Sequence, residues 1–181
     1  QEPVPKDIPD VFVSNHQRQL DIPILSAHLP GPFKWVAKIE LFKLPLLGSF
    51  MKNAGYIPVY REEAQKATTT VRKILEQLNK GFPVIFFPER TRTENGEIKE
   101  FHGGAFDIAI KKNIPIVPII IFGADKIMNK KSIQLYIKDK IKVKIGEPVY
   151  CEEGARKNFA EKIRGLIISN YNSFLNEVKD N

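Results

Sequence analysis

Phe82-Pro83-Val84-Ile85-Phe86-Phe87 and Ile116-Val117-Pro118-Ile119-Ile120-Ile121-Phe122 are the two stretches that decide the fold. Both are continuous apolar runs without polar alternation, the pattern of strands covered on both faces. Around them, short apolar runs alternate with helical stretches, so the chain reads as α/β. Strands are expected at residues 10–14, 34–38, 56–60, 83–87, 116–122, 133–137 and 141–145. That makes a central, mixed, mostly parallel sheet of about seven strands flanked by helices. The last two alternate apolar and polar residues and read as an edge hairpin turning at 138–140. Pro118 inside a buried run marks either a bulge, a backbone surface facing a ligand, or a core strand that tolerates proline.

Helices are expected at 21–28, 45–53, 62–80, 104–112 and 153–179. In the third, Ala64, Ala67, Val71, Ile74, Leu75 and Leu78 recur at three and four residues and form one apolar stripe, which Gly81 ends. The last repeats Phe159, Ile163, Leu166, Ile167, Phe174 and Leu175 and should pack back on the sheet. At 181 residues and 43% hydrophobic the chain can bury a core, and 1–181 reads as a single domain. No repeat, low-complexity tract or dividing linker interrupts it.

The formal charge of +7 favours an anionic partner. Zinc-finger spacings, Gly-rich RNA-binding motifs and dense arginine runs are missing, which argues against nucleic acid. Many lysines fall between Lys126 and Lys144, a basic face open either to solvent alone or to an anionic lipid or acidic carrier. Cys151 is the only cysteine, so an intrachain disulfide is excluded. Its neighbours Glu152 and Glu153 disfavour a thiolate, which makes it structural. No apolar run reaches the roughly 18–20 residues needed to cross a bilayer. Because the chain starts at Gln1, we expect it to lack an amino-terminal membrane anchor.

Asn15-His16-Gln17-Arg18-Gln19-Leu20-Asp21 follows the apolar run Val11-Phe12-Val13 and sets a histidine five residues before an aspartate. A carboxylate that holds one ring nitrogen makes the other a general base. The plainer alternative is that Asp21 caps the following helix and His16 is a loop residue. Gly55-Tyr56-Ile57-Pro58-Val59-Tyr60-Arg61 reads as a strand delivering Arg61 at its carboxyl end, where open α/β sheets place ligands. Arg61 also opens a helix, the wrong end for a cation, unless an anion sits between the two. After the strand 83–87, Pro88-Glu89-Arg90-Thr91-Arg92-Thr93 packs a carboxylate, two guanidiniums and two hydroxyls together. That density suits a phosphate site, since arginine forks onto phosphate in bidentate fashion; a salt-bridged turn is the alternative. Glu89 can hold an arginine or bind a substrate hydroxyl. His102, before Gly103-Gly104, reads as a packing or loop residue rather than a second base. The segment 33–55 interleaves Lys34, Lys38, Lys43 and Lys52 with aromatics and leucines, as an acyl-binding or membrane-facing lip does, and as core helices also do.

These four groups, with Val117-Pro118-Ile119 as the last, closely resemble the 1-acyl-sn-glycerol-3-phosphate acyltransferase family, bacterial type, over residues 10–150. The family's N-H-x-x-x-x-D block is matched by Asn15 to Asp21, its glycine-to-arginine block by Gly55 to Arg61, and F-P-E-G-T-R-S by Phe87 to Thr93. Arg90 stands where the family usually has glycine, and Arg18 where serine is common. The resemblance implies a glycerolipid acyltransferase fold and acyl transfer from acyl-CoA or acyl carrier protein to the sn-2 hydroxyl of lysophosphatidate, giving phosphatidic acid for phospholipid synthesis. His16 and Asp21 are its implied catalytic pair. Arg61, Glu89, Arg90, Thr91 and Arg92 are implied to hold the acceptor. No resident cofactor and no metal are implied. The expected location is membrane-associated, at an anionic surface, with the site facing the cytoplasm, as at a bacterial inner membrane. Another acceptor (glycerol 3-phosphate, another lysophospholipid or a lyso-aminolipid), a thioesterase and a non-catalytic lipid-binding module stay open beside this reading.

Overall fold

Seven consecutive residues, Ile116 to Phe122, are buried in the computed structural model, as an all-apolar run requires. The structure describes residues 10–18, 20–60, 64–89, 97–127, 140–152, 155 and 158–179. Along the chain come β1 (Val11–Ser14), α1 (Asp21–His28), β2 (Lys34–Lys38), α2 (Leu47–Asn53), β3 (Ile57–Val59) and α3 (Ala67–Asn79). They are followed by β4 (Val84–Phe86), α4 (Gly104–Lys112), β5 (Ile116–Phe122), α5 (Ala124–Ile127), β6 (Lys142–Ile145) and α6 (Phe159–Lys179). Short 3-10 turns at Ile39–Lys43 and Ala64–Lys66 precede α2 and α3. The described strands number six, not about seven, because residues 133–137 lie outside the described residues. The fold is α/β, with parallel β2–β3 and β2–β4 pairs and one antiparallel pair, β5–β6.

The chain divides into two units: Gln1–Phe12 with Gly31–Phe86, and Val13–Pro30 with Phe87–Asn181. In the first, β2 is central, in register Val36 to Ile57 on one side and Lys34 to Val84 on the other. Helix α3 buries Thr70, Ile74 and Leu78, while Val71 is 39% exposed and Ala67 is exposed. The buried stripe is thus rotated from the one expected through Ala67 and Val71. Thr70 can enter it because its hydroxyl donates to the Pro58 carbonyl at 2.9 Å, satisfying the one polar atom at stake. Gly81, at φ +80°, closes α3: Phe82 N–H returns to Gln77 O and Gly81 N–H to Leu78 O. On the segment read as a lip, Leu44, Leu46, Leu47 and Phe50 are exposed, but Met51 is buried at 4% and belongs to the core.

In the second unit, β5 pairs with β6 in register Ile119 to Ile145 and Phe122 to Lys142. A further bridge joins Ile116 to Val149. Three steps from 116 to 119 therefore oppose four from 145 to 149, and the extra residue is a bulge beside Pro118. Pro118 has no N–H to give the ladder, and the bulge is where that costs least; its carbonyl still accepts Gly146 N–H at 2.8 Å. Helix α6 buries Phe159, Ile163, Ile167 and Tyr171, a strict four-residue ridge, and packs on β5. Leu166, expected inside, is 37% exposed because it falls off that ridge. Phe122 meets Tyr171 and Phe174 with ring centroids 5.1 and 5.8 Å apart. Among the described residues no helix is long and apolar enough to cross a membrane.

Candidate active site

The second unit brings together His16, Asp21, Phe87 and Glu89. The site begins where β1 stops. Asn15, fully buried, prolongs the strand with its side chain: Nδ2 donates to Ile121 O at 2.9 Å, and Oδ1 accepts Ile121 N–H at 2.8 Å. Gln17, 1% exposed, is a second anchor, with Oε1 accepting Ala124 N–H at 3.2 Å and Nε2 donating to the Tyr171 hydroxyl at 3.0 Å. Burial, then the Asp125 charge, push the Tyr171 phenol above its usual range, against the pull of the Gln17 hydrogen bond. It therefore stays a neutral hydroxyl at working pH. Between two inward-facing amides, His16 faces outward with its side chain 19% exposed.

Asp21 opens α1 with no exposed surface. Its Oδ2 lies 2.7 Å from His16 Nδ1 and accepts the N–H groups of Gln17 at 2.6 Å and Arg18 at 2.9 Å. Those donors precede the helix, so Asp21 organises the loop rather than capping α1. The first turn of a helix also favours a carboxylate through the helix dipole. Its other oxygen, Oδ1, has no hydrogen-bond partner among the described residues. With Nδ1–H given to the carboxylate, Nε2 keeps its lone pair, the tautomer a general base needs.

Two residues after β4 complete the surroundings. The Phe87 ring stacks on the His16 imidazole, centroids 4.2 Å apart and planes within 19°. Glu89, 2% exposed, accepts His16 N–H on Oε1 at 2.8 Å and Lys99 N–H on Oε2 at 3.0 Å. Arg61, Arg90, Thr91 and Arg92 lie outside the described residues. Of the other histidines, the His28 ring is bound on its own helix at Ile24 O, and His102 gives its main-chain N–H to the carbonyl of Pro88, between Phe87 and Glu89. Cys151 Sγ contacts Glu152 O at 3.5 Å. No group of three metal-ligating side chains occurs among the described residues.

Sequence reasoning did not assign roles to Asn15, Gln17, Phe87 or Tyr171. Polar Asn15 directly after a buried strand is the one local signal that an amide must be satisfied inside the fold. The others depend on partners far along the chain.

An imidazole backed by a buried carboxylate, at the end of a strand in an α/β fold, has the arrangement that acid–base chemistry requires. A profile of the Acyltransferase family matches residues 1–122, which include His16, Asp21, Phe87 and Glu89, and the chain belongs to that family. It is 36% identical over 164 residues to a chloroplastic 1-acyl-sn-glycerol-3-phosphate acyltransferase of Brassica napus, covering 87% of this chain and 47% of that one. To the 1-acyl-sn-glycerol-3-phosphate acyltransferase of Helicobacter pylori it is 35% identical over 127 residues, 70% of this chain and 54% of that one. The chain thus spans about half the length of these curated relatives. The crystal structure of the 1-acyl-sn-glycerophosphate acyltransferase PlsC of Thermotoga maritima shares the fold, with a TM-score of 0.76 at 24% identity over 94% of this chain and 68% of that one.

Proposed function

We propose that this chain transfers an acyl group from a thioester, acyl-CoA or acyl carrier protein, to the sn-2 hydroxyl of lysophosphatidate, giving phosphatidate. The observation that carries this reading is the 2.7 Å contact between His16 Nδ1 and buried Asp21 Oδ2, in a chain whose relatives bear that activity in their names. His16 Nε2 takes the proton from the hydroxyl as its oxygen attacks the thioester carbonyl. The C–S bond then breaks, and the departing thiolate takes the proton back from the imidazolium. Asp21 holds the tautomer and stabilises the cation between these steps. No covalent enzyme intermediate is required, since the acceptor alcohol is the nucleophile, and no resident cofactor enters. Arg61, Arg90, Thr91 and Arg92 are assigned to the acceptor's phosphate and glycerol, turning binding energy into orientation of the hydroxyl.

Acceptor and product are lipids, so we place the working protein at an anionic membrane surface, its site open to the cytoplasm. The exposed Leu44, Leu46, Leu47 and Phe50, beside Lys43 and Lys52, support that placement. The deciding experiment gives the protein labelled acyl thioester with lysophosphatidate, glycerol 3-phosphate or water alone and separates the products. Phosphatidate formation that depends on lysophosphatidate is the expected result. Acylation of glycerol 3-phosphate alone, or release of free acid without acceptor, would assign a different acceptor or a hydrolase.

A further inference from the structure

Glu89 stands next to the base without facing the solvent from which substrate arrives. Its two oxygens take main-chain N–H groups from two separate segments, His16 at 2.8 Å and Lys99 at 3.0 Å. The second partner is itself secured. Arg164 on α6 donates Nε to Lys99 O and Nη2 to Ile98 O, each at 2.9 Å, and Nη1 to Glu161 on its own helix at 2.8 Å. Buried Ile98 and Phe101 pin the same segment from below. A continuous run of contacts thus leads from α6 through Arg164, the 98–99 backbone and Glu89 to the main chain of His16.

We propose that Glu89 is a positioning residue for the His16 base rather than a ligand of the acceptor, and that Arg164 fixes the far side of that support. This rests on the general-base reading of His16 given above. A carboxylate meets this geometry: among the described residues two main-chain donors converge on one side chain, one at each oxygen. Glutamine has the same shape but a single acceptor oxygen, so its amide NH2 is turned against one of the two N–H groups. The repelled segment shifts, and His16 shifts with it, because Phe87, stacked on the imidazole, belongs to the same turn as Glu89. A base displaced by about an ångström loses up to about 100-fold in rate.

Two readouts on the intact chain test this. In steady-state kinetics, Glu89→Gln should lower kcat about 10- to 100-fold and leave both KM values within about twofold. Nitrogen-15 NMR of the His16 ring, recorded without substrate and assigned through His28 and His102 variants, should show a changed Nδ1–H signal in Glu89→Gln. A raised acceptor KM with unchanged kcat and an unchanged His16 signal would overturn the proposal and make Glu89 an acceptor ligand. Should Glu89→Gln not fold, Arg164→Ala carries the test: a smaller loss of kcat with a moved His16 signal is expected, and neither change would overturn it. The NMR result also separates the two readings. A His16→Ala variant that still turns over would end the general-base mechanism, whereas the moved ring signal in Glu89→Gln would leave the positioning role standing.

Discussion

Asp10 supplies a test whose sign and size both follow from burial. The residue stands at the entrance to β1, 4% exposed, with its main-chain carbonyl accepting Val84 N–H at 3.0 Å. Burial pushes its carboxyl up from 3.8 to about 6, because a poorly solvated site disfavours the charged form. Unfolded, the group ionises near 3.8, so between about pH 4 and pH 6 the folded chain keeps a proton that the unfolded chain has released. The stability associated with the neutral acid is complete below the lower value and is lost as pH rises through the upper one. A shift of about two units corresponds to about 3 kcal/mol above pH 7, a sizeable part of the roughly 5–15 kcal/mol that holds a domain together. Asp10→Asn keeps the volume and removes the ionisation. Near pH 4 the variant should match the wild type within about 1 kcal/mol, and near pH 8 exceed it by about 2–4 kcal/mol. Urea unfolding followed by circular dichroism across that range gives both stabilities, and their difference cancels every titration the two proteins share. A difference that does not grow between about pH 4 and pH 7 would refute the reasoning.

Further outcomes follow from the site. His16→Ala should lose about 10²–10⁴-fold in turnover with an unchanged far-ultraviolet spectrum, and near wild-type turnover in a folded variant ends the mechanism. Asp21→Ala should be nearly as inactive, and less stable as well, because it strips acceptors from the Gln17 and Arg18 N–H groups; thermal unfolding reads the second effect. Arg61→Ala and Arg92→Ala should raise the KM for lysophosphatidate while leaving the thioester KM in place, and equal effects on both would remove these residues from the acceptor. Binding to anionic vesicles should be weak, fall with salt and weaken further in Leu46→Asp, each nearby lysine adding about 1 kcal/mol at most. Co-sedimentation with neutral and anionic vesicles checks this, and equal, salt-independent binding to both refutes it.

Much of the architecture is legible in the sequence because its boundaries carry their own chemistry. Helix α4 begins after Gly103 and ends at Asn113 in the left-handed region, and β5 ends at Gly123, φ +85°. The helix expected at 45–53 is found at Leu47–Asn53, but the 3-10 turn Ile39–Lys43 before it is too short for periodicity to reveal. Four-residue α5 is too short to show a period at all. At the site, the pairing of His16 with Asp21 is written in their spacing, since five residues leading into a helix bring the two together. The attachment of Glu89 is not. A carboxylate that grips main-chain N–H groups depends on where two distant loops lie, and backbone donors leave no trace in residue identity.

Asn15 and Gln17 also have a consequence in time. The His16–Asp21 pair is local, separated by five positions, but its supports are remote: 106 positions to Ile121, 73 to Glu89 and 154 to Tyr171. Contacts over such separations close large loops and form late in folding, whereas the five-residue pair closes almost at once. A growing or refolding chain therefore meets the short His16–Asp21 closure well before the long ones that fix Asn15, His16 and Gln17 in place. The anchoring of Gln17 is complete only once α6 has brought Tyr171 to it.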